Sequence, residues 1–213
     1  MMEIAEELGK RHTVHVLTSG AQDLPRESRH PSVDVTVHRV PVARRNTRAT
    51  ASFASMLGFL PSGIRHGSRL LEANTFDIVN TWFAIPSGIT GGWISTKHHV
   101  PHLLTVIGGD IYDPSKWYSP HRFPASGAAV KWALRHADAH VAISSDIAGR
   151  TREYFAFDGK IEVIPLGIRE PVFAHARREA LGLDPDKQYV VTVGRLVRRK
   201  DYPTLIRAIK ALG

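Results

Sequence analysis

Short runs rich in β-branched residues alternate with helical patterns along almost the whole chain. A helix over Met2–Lys10 leads to a strand at Thr13–Thr18. Val33, Val35 and Val37 then alternate with Asp34, Thr36 and His38, the period of two that marks a half-exposed strand. A helical stretch at Ala51–Leu71 is interrupted by Pro61-Ser62-Gly63, since an interior proline removes an N–H and crowds the preceding turn. Strands are expected at Asp77–Asn80 and His102–Ile107, with a helix between them starting near Pro86. A helix at Ala125–Arg135 precedes a strand at Ala139–Ile143. Ser144 or Ser145 caps a further helix that runs to about Phe155, and a strand at Ile161–Ile164 stops at Pro165-Leu166-Gly167.

Strand–helix alternation on this scale predicts an α/β fold, a Rossmann-like and mostly parallel sheet with helices on both faces. Beyond Gly167 the pattern restarts. Arg169–Pro171 reads as a linker, Ala174–Leu181 as a short helix, Tyr189–Val193 as a buried strand and Asp201–Leu212 as the next helix. A boundary near residues 167–173 gives a domain over 1–167 and the first strand and helix of a second Rossmann-like domain over 168–213. At roughly 40 residues that second part is too short for an independent core. Doubly wound units open with a strand and a glycine-rich turn feeding the first helix, whereas this chain opens inside that helix. The chain therefore reads as a fragment at both ends, and a missing central strand would leave its neighbours flanking a gap with unpaired backbone groups.

Composition narrows the partners. In 213 residues there are no cysteines, which excludes disulfides and thiolate metal sites. No run approaches the ~20 apolar residues of a membrane-spanning helix, and the expected compartment is the cytoplasm. The formal charge is +8, and its distribution is uneven. No acidic residue lies between Asp34 and Glu72, while Arg39, Arg44, Arg45, Arg48, Arg65 and Arg69 do, together with Phe53, Met56, Leu57, Phe59 and Leu60. A basic segment with an apolar centre can lie on an anionic membrane, so the Arg39–Arg69 region is a candidate peripheral contact with the inner face of the membrane. A core-facing helix with arginine-rich ends fits the same residues equally well. Nucleic acid is not expected, because the aromatics do not interleave with the arginines as a stacking platform requires.

The most informative segment is Val191–Ala208. A strand ends at Gly194, a cationic loop with Arg195, Arg198, Arg199 and Lys200 follows, and a helix starts at Asp201 with Pro203 in its first turn. The end of a strand, the start of a helix and several fixed cations converge there, which suits a diphosphate. A solvated basic turn is the plainer alternative. Asp184-Pro185-Asp186 has the spacing of a metal-binding pair but lies in a turn, and His98, His99 and His102 straddle a helix end and a strand, so no metal site is expected.

The pair Gly194-Arg195 with Lys200, followed by a Leu-Ile-x-Ala helix, resembles the retaining glycosyltransferases of family 4, the glycosyl transferases group 1. Other segments agree in order. These are Ala5–Leu8 with Arg11–Thr18, Phe76–Val79 with Trp82 and Pro86-Ser87-Gly88, Val100–Val106 through Gly108-Gly109-Asp110, Ala142-Ile143-Ser144, and Val163–Ile168. The resemblance implies the GT-B architecture, two Rossmann-like domains with the acceptor mainly on the first and a nucleotide sugar mainly on the second. It implies transfer of a sugar from that donor to a glycan or lipid-linked acceptor, with no cofactor. Gly194, Arg195 and Lys200 would contact the donor diphosphate, and Gly108, Gly109 and Asp110 would form the active-site loop. Ile107 stands where many members have histidine, which leaves Asp110 as the nearest polar candidate for a catalytic role, with capping of the following turn as its alternative. Without a glycine-rich first loop and the later glutamates of the family, the fragment itself is expected to be inactive. A non-hydrolysing nucleotide-sugar epimerase and a non-catalytic binding module are the competing functions on the same fold.

Overall fold

The valine-rich runs become strands that assemble into two sheets. In the first, β1 (Val14–Ser19) lies parallel to β3 (Val35–Val40), and β2 (Glu27–Arg29) pairs antiparallel on the other side of β3. In the second, β4 (Val79–Trp82), β5 (His102–Val106), β6 (Ala139–Ala142) and β7 (Glu162–Val163) run parallel in that order. β1 and β4 are each an edge strand of their sheet. The computed structural model describes residues 2–20, 24–42, 53–167, 177–194, 196 and 200–212. It divides into the units Met1–Pro165 and Leu166–Gly213.

In the first unit, helices α1 (Met2–Leu8), α2 (Phe53–Ala73), α3 (Ile89–His98), α4 (Pro124–Arg135) and α5 (Ser145–Phe155) alternate with the strands. Their starts follow local rules. Pro124 opens α4, where its missing N–H costs nothing, and the Ser144 hydroxyl oxygen accepts the Ile147 N–H at 3.3 Å at the head of α5. The core lies between β5, β6 and the helices around them. Leu104, Val106, Ile111, Val130, Ala133, Leu134, Ala142, Ala148 and Phe155 are all buried there. A parallel sheet covered by helices explains why β5 reads as a nearly continuous apolar run.

Two local expectations need correction. β3 is not half-exposed: Val35, Thr36, Val37 and Val40 are all buried. Val35 and Val37 pack with Ala5 of α1, while His38 on the opposite face stacks on His15, so both faces of this central strand are covered. Nor does Pro61 interrupt α2, which continues to Ala73. The carbonyl that loses its N–H partner belongs to Leu57, and both Leu57 and Pro61 lie on the exposed side of the helix, where water can replace the bond.

His102 shows how a polar group is accommodated in the core. Its ring is 1% exposed, with Nδ1 2.9 Å from the His136 carbonyl and Nε2 2.7 Å from Thr81 Oγ1. A carbonyl can only accept, so Nδ1 carries the proton and Nε2 accepts the Thr81 hydroxyl. Burial pushes this imidazole below its ordinary 6.5, against the opposing pull of the His136 carbonyl and Asp138. Gly91 of α3 makes this possible, since a Cβ there would meet Thr81 Cγ2 and sit 2.8 Å from His102 Nε2.

In the second unit a single helical turn at Glu179–Leu181 and helix α6 (Tyr202–Leu212) form where the pattern predicts helix; of the helix expected at Ala174–Leu181, residues 174–176 lie outside the described residues and Arg177 and Arg178 are not helical. The buried strand at Tyr189–Val193 does not. These residues form no strand, and Val190, Val191 and Val193 are 64%, 80% and 94% exposed. The apolar face of α6 is likewise open, with Ile206, Ile209 and Leu212 exposed. The reason is common to both: among the described residues the unit contains no strand to pair with that backbone or to cover that face.

Imidazoles with depressed values make stability depend on pH. His102, His140 and His38 are each lowered, with burial the largest cause. The unfolded chain binds their protons near 6.5, so their contribution is complete above that pH and is lost as pH falls below it. Urea denaturation is expected to show a lower midpoint at pH 5.5 than at pH 7.5, with a shallower dependence in His102→Gln. An equal dependence in that variant would remove His102 from the account.

Candidate active site

Residues Ile107–Asp110 leave the carboxyl end of β5, the strand flanked by β4 and β6. Ligands of open parallel sheets bind beyond that end of the strands. Ile107, Gly108 and Gly109 are half-buried, while Asp110 is 5% exposed. The Asp110 carboxylate accepts three backbone N–H groups. Ala84 donates to Oδ2 at 2.7 Å, and Gly108 and Ile107 donate to Oδ1 at 2.8 and 3.2 Å. Burial pushes this carboxyl upward, and the N–H groups of Ala84, Gly108, Asp110 itself and Ile107 pull the other way. Both oxygens are therefore engaged by backbone, and the geometry is that of a clamp between the loop after β4 and the loop after β5.

The clamp holds two unusual backbone conformations. Phe83, directly before Ala84, has φ 77°, a region costly for a non-glycine residue by about 1–3 kcal/mol. Its N–H donates to the Thr105 carbonyl at 2.9 Å and its carbonyl accepts Gly88 N–H at 2.9 Å, so the conformation is fixed from both sides. Gly108 has φ 140°, which L residues rarely adopt, and a Cβ there would also press on Ile147 at 3.3 Å. The Gly108 carbonyl then accepts the N–H groups of Ile111 and Tyr112 at 2.9 and 2.7 Å.

The loop continues to Phe123 as a self-braced unit. Burial raises the Asp113 carboxyl, but hydrogen bonds from Ser115 and Lys116 outweigh it and hold the group below its usual range. The Asp113 N–H donates to Ser119 Oγ at 2.9 Å, and Ser119 Oγ lies 2.7 Å from His121 Nδ1. Tyr112 stacks on Tyr154 of α5 at 5.7 Å, and the Arg150 guanidinium lies 4.2 Å from the Tyr112 ring centre. These contacts tie the loop to α5, so Gly108 and Gly109 are presented on a stiff support.

Of the second expected cluster, Arg195 lies outside the described residues, as do Arg198 and Arg199. Gly194 and Lys200 do approach one another. A Cβ on Gly194 would lie 3.8 Å from Lys200 Cε and 2.6 Å from Tyr202 Oη. Tyr202 is a residue that sequence reasoning missed, and only its position at the head of α6 could have signalled it. Asp184-Pro185-Asp186 forms a surface turn, with Asp186 N–H bonded to Asp184 Oδ1 at 3.0 Å and Lys187 Nζ 3.1 Å from Asp184 Oδ2. His102 is committed to the core, and no group of three His, Asp or Glu side chains is placed to hold a metal among the described residues. Ala84 was also missed, since a backbone donor leaves no mark on side-chain chemistry.

The family profile described as "Glycosyl transferase 4-like domain" matches residues 1–167. The chain belongs to that family. Its matched segment contains the Asp110 clamp and every strand of the first unit. TuaC of Bacillus subtilis, named as a teichuronic acid biosynthesis glycosyltransferase, is 31% identical over 142 residues, 64% of this chain and 35% of TuaC. A D-inositol 3-phosphate glycosyltransferase of Segniliparus rotundus is 28% identical over 212 residues, 92% of this chain and 45% of that protein. One of the same name from Nocardiopsis dassonvillei is 42% identical over 84 residues, 37% and 20% of the two chains. The chain thus spans less than half the length of each of these relatives.

In this glycosyl transferase 4-like domain, removing the Asp110 carboxylate leaves three N–H groups without their acceptor. Asp110→Ala is expected to lower the unfolding free energy by about 3 kcal/mol. Gly108→Ala should also destabilise, by about 1–3 kcal/mol. Urea denaturation checks both, and a loss below about 1 kcal/mol for Asp110→Ala would show that the clamp carries little.

Proposed function

We propose that the chain is the acceptor-side part of a retaining glycosyltransferase of GT-B architecture, together with the start of its donor-side part. The reaction moves a sugar from a nucleotide sugar to a glycan or lipid-linked acceptor. The observation that carries the reading is the Asp110-clamped turn at Gly108-Gly109, a backbone shaped for close approach at the carboxyl end of the parallel sheet of a glycosyl transferase 4-like domain. On this reading Gly108 and Gly109 admit the reacting sugar or acceptor, and Asp110 is a positioning residue, because both of its oxygens face backbone.

Gly194, Arg195 and Lys200 hold the donor diphosphate. When the bond from the sugar anomeric carbon to phosphate oxygen breaks, its electron pair stays on the diphosphate, and fixed cations stabilise that growing charge. No metal is required if Arg195 and Lys200 do this. What supports the assignment is the approach of Lys200 to Gly194, which puts a cation beside the glycine at the head of α6. The arginine-rich segment Arg39–Arg69 gives the protein peripheral contact with anionic membrane. Arg65 and Arg69 on the exposed side of α2 support it, whereas Arg39 is spent on the Pro25 carbonyl and Ser28 Oγ at 3.1 and 2.8 Å, and Arg44, Arg45 and Arg48 lie outside the described residues. No helix among the described residues is long and apolar enough to cross a membrane.

Calorimetric titration with nucleotide diphosphate sugars tests the donor assignment. Lys200→Ala and Arg195→Ala are each expected to weaken binding by about tenfold to a hundredfold, the range for a lost charge-assisted hydrogen bond. Affinity unchanged in both variants would reduce the loop to a solvated turn.

A further inference from the structure

On the outward side of α2, Leu57, Pro61, Arg65 and Arg69 recur at every fourth residue, and all four are exposed. That spacing stacks them in one stripe, apolar in its first half and cationic in its second. A shallow groove of about 270 Å³ runs between the stripe and α3, lined among others by Arg65, Ser68, Arg69, Glu72, Trp93 and Lys97. Trp93 is 43% exposed, with Lys97 Nζ 5.7 Å from its ring centre. Lys97 is paired with Glu72 at 3.3 Å, but Arg65 and Arg69 form no ion pair among the described residues, so the groove keeps an excess of positive charge.

A second observation points to a ligand. Ser68 is 6% exposed, and its hydroxyl has no hydrogen-bond partner. Two other buried or half-buried helical hydroxyls turn back on the preceding turn, Thr96 to the Gly92 carbonyl and Thr151 to the Ile147 carbonyl, both at 2.7 Å. A buried hydroxyl that makes no such bond is costly, and although the Ser68 oxygen is closed to solvent in this orientation, a turn about the Cα–Cβ bond toward the groove that Ser68 lines would give it an acceptor there.

We infer that this groove seats the phosphate of an anionic phospholipid headgroup. The phosphate accepts from Arg65, Arg69 and the Ser68 hydroxyl, while Leu57, Pro61 and the Trp93 ring lie at the boundary between headgroups and acyl chains. The exposed apolar surface beside the cations is what favours a lipid over a free phosphate, which has no use for it. The inference rests on the membrane reading given above and names the site through which that contact acts.

Vesicle flotation with the full chain tests it, using phosphatidylcholine vesicles with and without about one third phosphatidylglycerol. Binding is expected only with the anionic lipid. Arg65→Gln/Arg69→Gln should weaken it at least about tenfold, at roughly 1 kcal/mol per cation, whereas Arg135→Gln/Arg152→Gln, with the same charge loss on α4 and α5, should stay within about twofold. Ser68→Ala, which alters no charge, should weaken it several-fold. Equal losses in the two double variants, or an unchanged Ser68→Ala, would overturn the groove and leave a diffuse membrane attraction standing. Failure of the unsubstituted chain to float with anionic vesicles would overturn the lipid assignment and the membrane reading together. Glycerol 3-phosphate, followed by the fluorine signal of 5-fluorotryptophan at position 93, then decides the source. A shift lost in Ser68→Ala would reassign the groove to a soluble phosphate ester, whereas no shift, together with the flotation losses above, is the result expected for a headgroup held at the membrane.

Discussion

A carboxylate removed from water needs donors in return, and the way Asp110 finds them shapes the carboxyl end of the sheet. Its three partners are backbone N–H groups from two loops that are 26 residues apart at their longest span, Ala84 to Asp110. Satisfying them fixes where the loop after β4 meets the loop after β5. Within that constraint Phe83 holds a left-handed conformation and Gly108 an orientation closed to side chains. Each lies at or beside an N–H group that the carboxylate binds. The candidate active site is thus a backbone feature held by one buried charge.

The rest of the first unit supports that feature in layers. Beneath it lies the core of β5, β6, α4 and α5, which is apolar and continuous. Beyond it the loop from Ile107 to Phe123 is braced by Asp113, Ser119 and the stacking of Tyr112 on Tyr154. This is a long connection, and its order comes from short polar side chains closing turns within it rather than from helix or strand. The second unit contrasts with this. Lys200, Gly194 and Tyr202 come together locally, yet the apolar residues on either side of them stay exposed because the described residues of this unit include no strand.

Histidine illustrates how one residue type takes different parts in one fold. His102 is a neutral core group whose two nitrogens are matched to a carbonyl and a hydroxyl. His15 and His38 stack across β1 and β3, 3.0 Å apart at their nearest nitrogens, with Glu27 of β2 3.3 Å from the other nitrogen of His38. In sequence the three are equally polar residues in valine-rich runs. Only the facing strand decides which of them form a half-buried stacked pair and which completes a core.

From the sequence alone come the order of strands and helices, the cap at Ser144, the opening of α4 at Pro124 and the collinear family motifs, because these depend on periodicity and on neighbours a few residues away. The tertiary structure decided the rest. It made β3 buried on both faces, since burial depends on which elements cover a strand. It carried α2 through Pro61, since a lost N–H is harmless where the freed carbonyl reaches water. It left Tyr189–Val193 exposed, since an apolar run becomes a strand only beside a partner with free backbone groups. And it gave the Asp110 carboxylate its three backbone partners, N–H groups that no local pattern could assign to it.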